Sequence, residues 1–570
     1  MTDLAALIQA ARGEIQSDLV LKGGWVVNVF SGELEKTDLA VKNGMIVGLG
    51  QYTGHEIWDV PGKYVAPGLI ETHLHIESSM LCPVELARVL LTHGTTTIVA
   101  DPHEIANVLG IQGVRYMLKA SEKLPLDFFF MAPSCVPATH LETSGASLTA
   151  EDLRVLLDEP RILGLAEMMN FPGVINCLPQ VLEKIKLFAS RPKDGHAPLL
   201  SGADLNAYLA AGIESDHECT SVSEAREKLA RGMRIFIREG STAQDLLQLL
   251  PLVNESNSRR ISFCTDDLHA EDLLEKGHLD YVLKKAVKHS LPSVKALTMA
   301  TLNAAEAFGL KDRGALAPGY RADIVIFDSL ESLDVESVFK DGRLVAHQGG
   351  CTAVLPPVSM PDGAISMNVA PLDQDSLKIR ASGPRVRVIE LVENQIITGH
   401  FVTETPVSDG CLAADPDRDL ARLVVVERHQ GTGNIGHGLV KGFGLKRGAL
   451  ASSVAHDSHN IIAVGMSAAE ILTALRTVTR MRGGLAVIIG DHVRAEFALP
   501  IAGLISPDPA SEVAAALKKL KRAVLETGCE MKDPFMMLSF LALPVIPKLK
   551  LTDKGLVDVE RFDFVDLFVS

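Results

Sequence analysis

The 570-residue chain lacks long apolar runs, lacks closely paired cysteines and is short of positive charge. Each absence removes a class of function. No stretch approaches the ~18 uninterrupted apolar residues of a membrane-crossing helix, so no membrane partner is expected. The first twenty residues show no basic start, apolar block or small-residue cleavage site, which predicts no signal peptide. The eight cysteines, at 82, 135, 177, 219, 264, 351, 411 and 529, never fall at C-x-x-C spacing. In a chain this long that argues against a disulfide framework and for a cytoplasmic compartment. Asp and Glu (71) outnumber Lys and Arg (55), leaving a formal charge of −16, so no nucleic-acid partner is expected. The nearest thing to a basic run, Lys518-Lys-Leu-Lys-Arg522, is expected to be a solvated helix face.

What is present is the composition of a folded protein, 47% apolar and 22% charged. The length exceeds one ordinary core and predicts two or three domains. Residues 1–63 contain short β-prone runs punctuated by Gly and Asn-Gly, the pattern of a small all-β unit. From Tyr64 the pattern changes to strands alternating with helices. The strand candidates are Tyr64–His75, Thr95–Asp101, Asp127–Ser134, Arg161–Met168, a short one ending at His196, Gly212–His217, Met233–Glu239 and Arg260–Asp266. Eight such strands predict an α/β fold, a (β/α)₈ TIM-like barrel over 64–309. The helix-prone stretch Leu279–Phe308 follows. Residues 310–365 look again like the opening strands, so the small β-sandwich is expected to draw on both flanks of the barrel. Pro356–Pro371 has linker composition, and 372–570 is expected to form a further α/β domain.

The chemistry is expected at the strand ends. His73-Leu-His75 closes the first strand, and residues i and i+2 of a strand share a face. The fourth strand ends at Glu167, the fifth at His196, the sixth at His217 and the eighth at Asp266. Barrel enzymes build their sites at this C-terminal mouth. Four imidazoles and two carboxylates suit two divalent ions with one carboxylate between them, and nitrogen and oxygen donors without thiolate suit iron, manganese or zinc. Such ions lower the pKa of a bound water. Asp266 would then take its proton and pass it to a leaving nitrogen. His217 is left open between ligand and electrostatic helper. Asp267 is ranked below Asp266, because only one of two adjacent strand residues can face the mouth.

The pattern Pro67-Gly-Leu-Ile-Glu-Thr-His73-Leu-His75, with Thr301-Leu-Asn-Ala-Ala-Glu-Ala-Phe-Gly-Leu310 and Gly314–Asp323, resembles the amidohydrolase superfamily. That superfamily often has Pro where this chain has Ala304. Within it, His73–Met80, Ala100–Asn107, Pro133–Pro137, Gly195–Pro198, Cys264–Asp267, Val440–Leu445 and Ala455–Asn460 resemble the bacterial adenine deaminase family over nearly the whole chain. The resemblance implies hydrolysis of adenine to hypoxanthine and ammonia in purine salvage. It also implies two Mn(II) or Fe(II) ions per subunit, Glu167 where many relatives use a carboxylated lysine, and a cytoplasmic homo-oligomer, dimer or tetramer. Nucleobase deaminases on another scaffold carry a P-C-x-x-C zinc signature, which this chain lacks.

Further candidates have bland alternatives. Glu77 either faces the pocket or stabilises a turn. His103 and Glu104 either contact substrate, hold an extra metal or cap a loop. His456 and His459 either approach the pocket from the C-terminal domain or belong to a helix cap. Gln430–Gly436 is glycine-rich but lacks the Gly-Lys-Ser/Thr ending of a phosphate loop and is expected to be a turn. Two other functions stay open: an amidohydrolase acting on a different heterocyclic amine or cyclic amide, and a barrel that has lost its metal and only binds. A lysine on the fourth strand would have favoured cyclic amides, and broken ligands would have favoured the second.

Overall fold

The computed structural model describes residues 3–360, 367–392, 395 and 397–569. Eight parallel strands close a barrel: Leu69–Leu74, Thr95–Ala100, Asp127–Ala132, Ile162–Met168, Lys193–Gly195, Ser215–Asp216, Arg234–Arg238 and Ile261–Cys264. The first five pair in order, as do the last three. The Glu214 amide donates to the Lys193 carbonyl at 2.9 Å and joins fifth to sixth. A bridge between Leu74 and Asp266 joins eighth to first. The first strand is buried at every position, as a barrel strand covered on both faces must be. The fifth strand is only three residues long, in keeping with its poor strand sequence. A side chain at Gly195 would lie 2.3 Å from the Ser215 carbonyl, so glycine there lets the fifth and sixth strands approach.

Each expected barrel strand is present, and the first is shorter than expected. Tyr64–Pro67 is a separate strand, antiparallel to Ile324–Phe327 and parallel to Trp25–Asn28. The chain thus returns after the barrel to complete the sheet it began, as the sequence suggested. A second sheet contains Met45–Leu49, Leu39–Lys42, Ser17–Lys22 and Gly54–Asp59. Leu19, Leu39, Ile46, Ile324 and Phe339 form the core between the two. The stretch Leu279–Phe308 is three helices, Leu279–Lys288, Ser293–Met299 and Leu302–Ala307, not one. Pro292 lacks an amide to continue the first helix and disfavours helical backbone at the residue before it.

The C-terminal part is built on one large, mostly antiparallel sheet. Helix Ala468–Met481 begins at Ser467, whose hydroxyl accepts the Glu470 amide, and buries Ile471, Ala474, Leu475 and Val478 against the sheet. That i, i+3, i+4, i+7 spacing is an amphipathic stripe. Helix Ala510–Leu525 carries the basic run, but this run is more than a solvated face. Lys518 pairs with Glu275 and Lys521 with Glu271, both on barrel helix Ala270–Glu275. Part of the expected linker, residues 361–366, lies outside the described residues. All eight cysteines are free thiols, and no described helix is long and apolar enough to cross a membrane.

Candidate metal centre and its surroundings

Glu167, near the end of the fourth strand, occupies the centre of the barrel mouth and is 3% exposed. Its Oε1 lies 3.3 Å from His75 Nε2 and 3.8 Å from His73 Nε2. Its Oε2 lies 2.7 Å from His196 Nδ1 and 3.4 Å from His217 Nε2. Asp266 Oδ1 approaches His75 Nε2 at 3.2 Å and His73 Nε2 at 3.7 Å. The six residues expected from the strand ends therefore meet in two groups sharing Glu167: His73, His75 and Asp266 on one oxygen, His196 and His217 on the other. Asp266 holds its place with φ 56°, a left-handed backbone that Asp tolerates better than most residues. Its amide donates to His73 O at 3.0 Å and its carbonyl accepts from the His75 amide at 3.2 Å. Asp267 points away and accepts from Ser78.

The donor set fits divalent cations. His75 Nδ1 donates to the Asp101 carbonyl at 3.0 Å and His73 Nδ1 faces Asp194 Oδ2 at 3.0 Å, so both rings turn Nε2 to the centre. The two Nε2 atoms lie 3.3 Å apart. Outer carbonyl and carboxylate partners of this kind commonly orient metal-binding histidines. The charge agrees. Despite burial, which lowers them, Glu218 and Glu167 lift His196 to about 9, and Glu167 foremost lifts His217 to about 9. Burial also opposes ionisation of Asp266, yet His75 and Arg238 hold it well below the carboxylate range.

Beside this pair lies a second polar cluster. His103 Nδ1 is 3.1 Å from Asp101 Oδ2 and 3.5 Å from Glu167 Oε1. Glu104 Oε1 is 2.6 Å from His456 Nδ1, and Glu104 Oε2 contacts His459 Nε2. The C-terminal histidines therefore reach the barrel mouth. They sit in a turn leading into strand Ile461–Gly465, not at a helix cap. The Ala455 amide donates to His459 Nδ1 at 3.1 Å, which makes Nε2 the protonated nitrogen and a donor to Glu104. His459 is thus set up to fasten Glu104, not to bind a metal. Glu77 Oε1 accepts the Ile105 amide at 3.0 Å and so braces the helix His103–Leu109. Gln430–Asn434 is a loop folded onto Glu427, whose carboxylate accepts the amides of Gln430 (2.6 Å) and Thr432 (2.8 Å), and Ile435–Gly436 already begin strand Ile435–Lys441.

A cavity of about 1460 Å³ opens between the barrel mouth and the C-terminal part and reaches the candidate ligand His196, with Glu218 and Arg238 beside it. Sequence reasoning missed Asp101, Asp194, Glu218 and Arg238. Asp101 ends the expected second strand, where the same strand-end rule would have found it; Arg238 ends the observed seventh strand, Arg234–Arg238, whereas the expected one ended at Glu239. Glu218 was hidden by its neighbour His217.

Residues 64–345 match the amidohydrolase family, and residues 395–563 match the adenine deaminase C-terminal domain. The chain is similar to adenine deaminase of Desulfatibacillum aliphaticivorans, 51% identical over 99% of each chain. It is equally co-extensive with adenine deaminases of Dehalococcoides mccartyi strain CBDB1 and Methanothrix thermoacetophila, at 47% identity over 99% of each chain. The chain belongs to the adenine deaminase family. Both family matches reach the mouth, from the barrel side and from the C-terminal side.

Proposed function

We propose that the protein hydrolyses adenine to hypoxanthine and ammonia. The observation that carries this reading is the shared Glu167 between two imidazole-rich groups, in a chain co-extensive with adenine deaminases. His73, His75 and Asp266 would hold one divalent ion and His196 and His217 the other, Mn(II) or Fe(II), with Glu167 between them. Bound there, such ions lower the pKa of water so that hydroxide is available near neutral pH.

The chain's residues account for the rest. The cavity reaches His196; in this reading the ring enters there with carbon 6 turned to the ligands. The Asp266 carboxylate takes the proton of the attacking water at Oδ2, the oxygen turned from the imidazoles, and delivers it to the departing exocyclic nitrogen. A C–O bond forms at carbon 6 and the C–N bond breaks; the departing amine leaves as ammonia with the proton from Asp266, and the second water proton ends on ring nitrogen 1, leaving a carbonyl at carbon 6 of hypoxanthine. His217 stacks on His73 with ring centroids 4.0 Å apart, which suits a ligand held in place better than a mobile helper. The homo-oligomer rests on the family resemblance and the cytoplasmic compartment on the cysteine pattern, and a monomer mass in light scattering would overturn the first.

The test is ammonia release by protein produced with Mn(II) and an iron chelator. Adenine runs beside guanine, adenosine, cytosine and a cyclic ureide, with His73→Ala/His75→Ala as the blank. Turnover of adenine alone, absent in the blank, supports the reading. Turnover of another compound keeps the metal centre and discards the substrate.

A further inference from the structure

The cavity reaches the metal ligands on one flank only. His103, Glu104, His456 and His459 do not line it, whereas Glu218 and Arg238 do. Glu218 follows His217 at the end of the sixth strand and is 5% exposed. Its Oε1 is 3.7 Å from His196 Nδ1 and 3.6 Å from His217 Nε2, so it stands at the edge of the metal centre. Arg238 grips it with both terminal nitrogens, Nη1 on Oε1 and Nη2 on Oε2 at 3.3 Å. Such a fork fixes the plane of a carboxylate as well as its charge.

The guanidinium has no donor left for a ligand. Nη1 also donates to Asp266 Oδ2 at 2.8 Å, and Nε and Nη2 each reach Asp245 Oδ2 at 3.3 Å. Three carboxylates surround one cation. Glu218 and Asp245 both line the cavity, so the wall beside the metal centre is acceptor-rich and carries excess negative charge. Each Glu218 oxygen has a lone pair beyond the one used by Arg238. The neighbouring walls include Met169, Phe171, Met531 and Met537, which suit the faces of a flat apolar ring.

We propose that Glu218, aimed by Arg238, determines substrate choice by accepting a hydrogen bond from an N–H group of the bound ring, and that the carboxylate wall rejects anionic rings. This deepens the adenine reading and rests on it. Adenine carries N–H donors at its exocyclic amine and imidazole ring, and no negative charge. Arg238 is a positioning residue: it acts through Glu218 and Asp266.

The experiment uses full-length Glu218→Gln, Glu218→Ala, Arg238→Met and Arg238→Lys beside wild type. It reads bound metal, kcat and KM for adenine, and calorimetric binding of purine-6-carboxylate. The expected result is unchanged metal content and a fall in kcat/KM of about 10- to 100-fold in Glu218→Ala and Arg238→Met. Glu218→Gln and Arg238→Lys fall less. Purine-6-carboxylate, bound weakly or not at all by wild type, binds the two Glu218 variants about tenfold more tightly or better. A damaged fold would not produce that gain. Loss of metal in Glu218→Gln, or kcat/KM within about twofold of wild type with unchanged purine-6-carboxylate binding, overturns the proposal. Absence of adenine turnover in wild type overturns the substrate reading instead, and the gain of anionic-ring binding still decides the role of Glu218.

Discussion

The two flanks of Glu167 differ in what meets them. On one flank His103, Asp101, Glu104 and the C-terminal His456–His459 turn are buried against each other. On the other, His196, Glu218 and Arg238 face a cavity. The same C-terminal part seals the first flank and roofs the second, where Met531, Asp533 and Met537 form the far wall. Polar groups packed against each other set geometry. Polar groups facing a cavity are available to a ligand. The chemistry of a barrel mouth is thus divided by where the second domain touches it.

The largest effect tests the centre common to both flanks. His73→Ala/His75→Ala removes two inward-facing nitrogens, and metal content and turnover should both vanish to background. Asp194 orients His73 without lining the cavity. Asp194→Asn should weaken metal affinity by about 10- to 100-fold while the KM of the fully loaded enzyme stays near wild type. A raised KM at full loading would blur the distinction between holding and binding. On the sealed flank, Glu104→Ala strands His456 and His459 and should cost about 3 kcal/mol. Urea unfolding should show it; an unchanged midpoint would mean the C-terminal turn is held by other contacts.

Two pH responses sharpen the contrast further. In the metal-free protein His196 and His217 hold protons up to about pH 9, despite burial, because Glu218 and Glu167 face them. Protons and metal therefore compete, and affinity measured against a chelator should rise from pH 7 to pH 9. A flat profile would contradict the carboxylate-rich centre. The sealed flank behaves oppositely. Burial first, then Asp457, pushes Glu142 up to about 8 from 4.5. Its folded-state pKa is raised, so its contribution to stability is full below about pH 4.5 and is lost as pH climbs through about 8. Glu142→Gln should flatten that decline, seen as a smaller difference between urea midpoints at pH 5 and pH 8. An unaltered difference would show that Glu142 is not the group responsible.

The barrel and the cluster at its mouth were legible because strand periodicity and strand-end position are local properties. His73 and His75 share a face by alternation alone, and Glu167, His196, His217 and Asp266 each lie within two residues of the C-terminal end of a strand. The return of Ile324–Phe327 to Tyr64–Pro67 was legible from composition. Contacts between distant segments were not. Nothing local in Lys518–Arg522 announces Glu271 and Glu275, some 250 residues away. Nothing in His456–His459 selects Glu104 as partner over the metal ligands. Helix propensity over Leu279–Phe308 was real, but Pro292 divides it. Arg238 escaped notice because an arginine cannot ligate a metal, and its role is to hold residues that face the site.

The most direct test is a crystal structure of the Mn(II)-loaded protein with hypoxanthine, read by anomalous scattering. The account predicts two manganese peaks, one toward each oxygen of Glu167, and the purine ring in the cavity within hydrogen-bond distance of Glu218. Manganese held by Glu104, His456 and His459, or a ring seated against His103, would contradict it.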